Sequence, residues 1–285
     1  MKKQLCNRLL ITTKAKKLSI TWIVSIFLSL ITVYPFLLIL VVSLKSNDEF
    51  FSNPIGIPRL FEFRNYYIAY VKANIPRAFI SSFIITSFSI IVMILCGSLA
   101  AYALSKMNFS KASFFAAIFL MPMIFPIHTV IVPLYLLFKF LHLTNTFLGM
   151  IIIHAAIRLP FAIFVLTGFM KTIPNAISES AVIDGASHIT IFALLILPLV
   201  KPAIATVTIL NGLLIWNDFF LSLIMISKST IAPLPLKIYT FSGEYEQNWP
   251  MICTCIVFLA VPIIIGYSVL QKQIISGIVA GSIKG

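Results

Sequence analysis

Six stretches of the chain are apolar for about 20 residues or more, and charged residues collect between them. They run over Leu18–Leu44, Phe79–Leu104, Ala112–Phe138, Phe147–Met170, Ala203–Ile226 and Met251–Leu270. A bilayer core about 30 Å thick is crossed by about 20 residues of helix. The runs are continuous rather than alternating, which argues against a membrane barrel, and lone strands in lipid would leave backbone groups unpaired. The pattern therefore predicts an all-α membrane protein with six transmembrane helices. The fifth run is the least regular, because Asn211, Asn217 and Asp218 interrupt it. The third holds Pro122, Pro126 and Pro133 and is expected to bend. Two connections are long enough to hold structure of their own, Lys45–Ala78 and Lys171–Pro202.

Composition agrees with the pattern. Of 285 residues, 60% are hydrophobic and only 10% charged, with a mean hydropathy of +1.06. A soluble domain carries about 25% charged residues. The net charge of +13 would suggest nucleic acid as the partner of a soluble protein. Here the basic residues lie mostly outside the apolar runs, so membrane orientation explains them more simply. Placing the N-terminus inside puts Lys2, Lys3, Arg8, Lys14, Lys16 and Lys17 on the inner side. Lys106, Lys111, Lys171, Lys201, Lys272 and Lys284 join them there. Five of the outer basic residues fall in the one long loop, which weighs less in the positive-inside rule. Both termini are thus expected in the cytoplasm. Residues 1–17 form a basic cytoplasmic arm, and 18–285 form the six-helix domain. That domain includes an inner segment at about 171–202 and a cytoplasmic tail at about 271–285. The first apolar run is too long for a cleavable signal peptide. Cys6, Cys96, Cys253 and Cys255 show no zinc-ligand or disulfide-framework spacing.

The inner segment carries the most chemistry. It reads Ile173-Pro174-Asn175-Ala176-Ile177-Ser178-Glu179-Ser180-Ala181-Val182-Ile183-Asp184-Gly185. Pro174 suits the first turn of a helix. Ala176, Ile177, Ser180, Ala181 and Asp184 share one helical face. Gly185 permits the left-handed turn that ends a helix. A second apolar stretch, Ile189–Leu197, is expected to stop at Pro198. Two readings stand on these residues alone. One is a docking surface, with small residues for close approach and Glu179 and Asp184 for charge. The other is an amphipathic linker on the lipid headgroups, although such helices are usually more basic.

Glu179-Ser180-Ala181, then Gly185, then Leu197-Pro198, resembles the EAA motif of ABC-importer permeases, with Ser180 in place of the usual second alanine. Tyr34-Pro35-Phe36, Ala101-Tyr102-Ala103-Leu104, Leu159-Pro160-Phe161, Trp216-Asn217-Asp218 and the tail ending in Lys284-Gly285 extend the likeness. Together they are similar to the carbohydrate-uptake branch, specifically the maltose/multiple-sugar permease G component. The resemblance implies half of a translocation pathway for a sugar or related solute. It implies a coupling helix between the fourth and fifth spans, seated in a separate ATPase subunit through Glu179, Ser180, Ala181, Asp184, Gly185 and Pro198. It further implies a second, homologous permease, two ATP-binding subunits and an extracytoplasmic solute-binding protein as partners, in a bacterial-type cell membrane. ATP and magnesium would belong to the partner ATPases. This sequence has no G-x-x-x-x-G-K-[ST] loop of its own, and no enzyme activity is expected of the chain itself.

Arg158 and Asp218 are the ionisable residues deepest in apolar runs, and Asn211 and Asn217 accompany them. They either line the route or serve as structural polar groups, a structural Arg158–Asp218 pair included. His128 and His154 read more simply as helix–helix hydrogen bonders. The outer loop Lys45–Ala78 and the loop around Glu244–Trp249 are candidate contacts for a binding protein. Their aromatic residues equally suit interfacial anchoring. An ion- or proton-coupled secondary transporter or a channel is the alternative function. A membrane enzyme is a weaker one, since no nucleophile–base pair or metal cluster is evident.

Overall fold

The structure is a computed structural model. It describes the backbone of residues 2–282 apart from 108, 229 and 243–246, and side chains over 21–268 outside the same gaps. Helix dominates throughout. Among the described residues no strand forms, and a single bridge pairs Ser242 with Gln247. Four helices are each long and apolar enough to cross a membrane, and two bent helix pairs raise the number to as many as six.

The chain divides into two compact units, residues 1–69 with 241–257 and residues 70–240 with 258–285. The first unit begins with α1 (Lys2–Ser43) and continues through α2 (Asn47–Ser52) to the start of α3 (Arg64–Lys72). None of the most apolar window of α1 is buried inside the protein. Its C-terminal end is tied down instead. Lys45 is fully buried and its Nζ donates to the carbonyls of Asn53 at 2.6 Å and Pro54 at 3.3 Å. Asn65 Nδ2 donates to the carbonyls of Ser43 at 2.9 Å and Lys45 at 2.8 Å. Thr254 Oγ1 reaches the same Ser43 carbonyl at 3.3 Å.

The second unit is organised by α4 (Ile75–Lys106). After it come α5 (Ala112–Leu120), α6 (Ile127–Phe140), α7 (Phe147–Lys171) and α8 (Asn175–Ile183). Then α9 (His188–Thr190), a π turn over Ile191–Ile196 and α10 (Leu197–Leu199) form one continuous stretch. α11 (Lys201–Trp216), α12 (Phe220–Met225) and α13 (Leu234–Lys237) follow, and α14 (Trp249–Ser282) closes the chain. α4 packs along α7 and against α11. The approach is close where Gly97 faces α7, since a Cβ built there would stand 3.2 Å from the Ala162 Cβ. Small residues allow backbones this near in lipid.

Two runs differ from continuous spans. The third breaks between α5 and α6 with a bend of 101°. Pro126 supplies the cause, because it forces Phe125 into extended backbone at φ −89, ψ 127. Pro133 stays inside α6 and Pro122 begins a 3-10 turn, so one proline of the three makes the break. The expected stop at Pro198 is also corrected. The helix runs on to Leu199, and the 74° bend comes at Val200, with Pro202 opening α11. A wide π turn precedes Pro198, and such turns accommodate a residue without an N–H. The fifth run likewise ends its helix early, at Trp216 rather than Ile226.

Two apolar cores lie at different levels of the second unit. One gathers Met93, Ala162, Leu166, Met170, Ile196 and Val207 among others. The other gathers Ile85, Ile131, Met150, Ile153, Ile215 and Leu221 among others. Along α4, α7 and α11 the residues between these cores include buried polar ones, Ser89, His154 and Asn211.

Candidate functional site

α11 has 16 residues and spans about 24 Å, short of a bilayer core of about 30 Å. The backbone breaks at Asn217–Phe219 and restarts as α12. Broken backbone in an apolar segment is tolerated only where protein satisfies it. Asp218 does so. Its Oδ2 accepts from the Ser222 N–H at 3.1 Å and the Ser222 hydroxyl at 3.3 Å, and Oδ1 lies 3.5 Å from the Leu221 nitrogen. From one residue ahead of the N-cap, Phe219, the carboxylate takes up N–H groups of the first turn of α12 and sits favourably at the positive end of that helix.

The same carboxylate faces α7. His154 Nε2 lies 3.8 Å from Asp218 Oδ2, and the His154 side chain is 1% exposed. Arg158, one turn further along α7, is half-buried and within electrostatic reach of Asp218. Neither ring nitrogen of His154 nor the Arg158 Nε has a hydrogen-bond partner among the described residues. Asn211 is buried and donates through Nδ2 to the Val207 carbonyl of its own helix at 2.9 Å. Asn217 is exposed and bonds back to Leu213 in the same way at 2.9 Å. The structure thus brings Arg158 and Asp218 together with His154. It places Asn211 in the same layer and leaves Asn217 on the surface. Sequence reading missed the capping role of Asp218. An Asp three to four residues ahead of Leu221-Ser222 is a helix-start signature that marks it.

Ionisable groups held at membrane depth commonly mark a solute or ion route. Two readings of this cluster fit its geometry, a lining group and a structural strut. His128, by contrast, is exposed, with its ring 4.6 Å from that of Phe220.

The second candidate region is the inner segment. Pro174 precedes α8 as its N-cap, in extended backbone that cannot continue a helix backwards. At the far end Gly185 adopts φ +82, where a Cβ would be strained. The Gly185 N–H donates to the Val182 carbonyl at 3.0 Å, and the Ala186 N–H to that of Ala181 at 2.9 Å. That pair of bonds is a Schellman termination. α8 buries none of its residues. Glu179, Ser180 and Asp184 are exposed, and Ala181 is half-buried against the inner core. Ile183 is 85% exposed and Ile189 79%. Pro198 is exposed and lies beyond the π turn.

Cys96 is exposed, Cys253 half-buried and Cys255 buried, all as free thiols. The side chain of Cys6 and the tail's side chains lie outside the described residues, as do Glu244, Tyr245 and Glu246 of the outer loop. Trp249 packs with its ring 5.9 Å from Phe50. No group of three metal-ligating side chains occurs among the described residues.

Known proteins resemble this chain over most of its length. The model of the family described as binding-protein-dependent transport system inner membrane component matches residues 93–278. The melibiose/raffinose/stachyose import permease protein MelC of Bacillus subtilis is 34% identical, over 88% of this chain and 91% of its own length. The diacetylchitobiose uptake system permease protein NgcG of Streptomyces coelicolor is 31% identical, over 90% of this chain and 85% of its own. Among solved structures, a chain of a bacterial ABC transporter involved in the import of the acidic polysaccharide alginate superposes with a TM-score of 0.77. It covers 89% of this chain and 94% of that one at 22% identity, and so speaks to the fold.

Proposed function

This chain belongs to the family of binding-protein-dependent transport system inner membrane components and is a multi-pass membrane permease subunit of an ABC importer, and on that footing we propose how it is arranged and coupled. Each bent helix pair counts as one span, giving six, with both termini in the cytoplasm. Residues 1–17 are a cytoplasmic arm and 18–285 the permease domain. The segment around Glu179–Gly185 is the coupling helix, seated in a cleft of a separate ATPase subunit. Glu179 pairs there with a basic group, while Ser180 and Ala181 allow close approach. Gly185 sets the bend, and Asp184 and Pro198 flank it. ATP and magnesium are held by two such ATPases. A second, homologous permease completes the pathway, and an extracytoplasmic binding protein delivers the solute.

One observation carries the coupling assignment. α8 is a properly terminated helix that buries none of its residues, with Ile183 nearly fully exposed beside its exposed acidic residues. A free helix with that surface wants a protein groove more than headgroups, since no Lys or Arg lies between Lys171 and Lys201. Rigid-body alternation driven through such a contact switches access between the two sides.

The solute is a carbohydrate on this reading. Relatives named for melibiose, raffinose and stachyose and for diacetylchitobiose support it. The layer of Arg158, Asn211 and Asp218 either lines the route or braces it, with Asn217 at its edge.

The test uses the co-expressed complex. Glu179→Lys and Gly185→Asp should each uncouple ATP hydrolysis from uptake. Unchanged coupling and uptake in both variants would sink the coupling-helix assignment. Protease tags at the two termini should be cleaved only from the cytoplasmic side. Direct measurement of what the cognate binding protein retains would identify the solute.

A further inference from the structure

The structure assigns Lys106 and Tyr102, at the inner end of α4, as positioning residues that latch both ends of the coupling segment to a pathway helix. The assignment rests on reading α8 as the coupling helix. α8 buries nothing of its own, and Ala181 and Ala186 are only half-buried against the inner core. It packs against the π turn, and α4 holds the chain at its start and just past its exit.

At the entrance, Lys106 Nζ donates to the Ile173 carbonyl at 2.5 Å and to Asn175 Oδ1 at 2.9 Å. Ile173 closes the C-terminal turn of α7, donating its N–H to Met170. Asn175 is the first residue of α8. One ammonium from α4 therefore bridges the negative end of α7 and the start of α8. At the exit, the Tyr102 hydroxyl lies 3.3 Å from His188 Nδ1, the first residue of α9. The Tyr102 ring is buried and packs 5.3 Å from that of Phe192. Ser187 fixes this exit by capping, accepting from the Thr190 N–H at 3.2 Å.

Tyr102 and Lys106 are four residues apart and lie one above the other on one face of α4. The same helix packs along α7 and α11. Further out, Phe79, Phe83 and Ile90 of α4 line an apolar cavity of about 590 Å³ with Thr208, Leu213 and Trp216 of α11. A push delivered to α8 displaces its two ends. With its start fastened at Asn175 and the chain just past its exit turn fastened at His188, that displacement becomes a movement of α4. Without the latch the backbone connections at Thr172–Pro174 and Asp184–Ser187 alone would transmit it.

The experiment uses the importer assembled with its ATPases and binding protein in proteoliposomes, and reads solute moved per ATP hydrolysed. Lys106→Met should leave assembly and unstimulated hydrolysis intact while lowering that ratio about tenfold, the scale of one lost charge-assisted hydrogen bond. Lys106→Arg, which keeps the charge and the donors, should restore it. Tyr102→Phe keeps the packing on Phe192 and loses the hydroxyl, and should lower the ratio about threefold. Asn175→Ala removes one Lys106 acceptor without touching α4, so it reports on the latch even where Lys106→Met fails to assemble. A wild-type ratio in Asn175→Ala together with Lys106→Met or Tyr102→Phe overturns the latch. Gly185→Asp serves as the reference. If it uncouples while the latch variants do not, the latch alone is refuted. If it too is silent, the coupling-helix reading itself is refuted.

Discussion

Replacing Asp218 with alanine removes the group that lets the fifth membrane segment break and restart. The Ser222 N–H loses its acceptor, while the hydroxyl keeps the Asp218 backbone carbonyl at 3.2 Å, and Ser222 is 1% exposed, so no water replaces the lost bond cheaply. Orphaning one buried donor costs about 1–3 kcal/mol. Loss of a helix cap costs about 1 kcal/mol, and here it overlaps with that donor. The expected loss is about 2–3 kcal/mol. Asp218→Asn keeps an acceptor oxygen in place and should cost about 1 kcal/mol or less. For a chain of this size the alanine variant should melt about 5 °C lower. The assay is thermal unfolding of the assembled complex in nanodiscs, followed by the emission of Trp216, whose indole N–H donates to the Leu259 carbonyl at 3.3 Å. An alanine variant that melts with the wild type would refute the capping account. An asparagine variant as unstable as alanine would also refute it, because charge rather than an acceptor would then be what α12 requires. Transport at fixed stability then separates strut from lining group. If Asp218→Asn melts normally but no longer moves solute, the carboxylate serves the route.

Two further outcomes follow from packing. Gly97→Leu should lower the stability of the complex by about 2 kcal/mol or more by overpacking the Gly97–Ala162 approach, while Gly97→Ala asks Ala162 to move only slightly. Comparing their melting temperatures with wild type checks the order, and equal values would contradict the close approach. Lys45→Met should free the loop that its ammonium ties down at Asn53 and Pro54. The expected readout is faster cleavage of residues 46–63 by protease added to the solubilised complex, with an unchanged rate counting against the clamp.

Much of this architecture is written as runs of apolar residues, and the reasons for the exceptions are local. Ile75–Lys106 and Phe147–Lys171 emerge within a few residues of their runs, because uninterrupted apolar helix in lipid has no competing structure. Gly185 was readable because a helix end between Asp and Ala has few other residues able to take φ +82. The three prolines of the third run were visible as a group. Which one breaks the helix was not, since Pro133 sits comfortably inside α6 and Pro122 opens a turn. The bend at Val200 was hidden for a related reason: a π turn upstream absorbs Pro198, and hydropathy does not register turn width. The polar cluster was half legible. Arg158 and Asp218 stood out as charges in apolar runs, but the pairing with His154 depends on how α7 packs, which no single run encodes.

The unburied state of α1 bears on how the protein is made. A helix with no buried residue in its apolar window can partition into the bilayer on its own side chains, at about −0.3 to −0.6 kcal/mol for each central Leu, Ile, Val or Phe. It can settle before any later segment leaves the ribosome. α11 has no such independence, since it delivers Asn211 and the break at Asp218 into the membrane. The groups that its carboxylate faces, His154 and Arg158 on α7, precede it in the chain and are synthesised first. The order of elements along the sequence is therefore also a workable order of insertion, in which the costly polar segment arrives only after the groups that receive it.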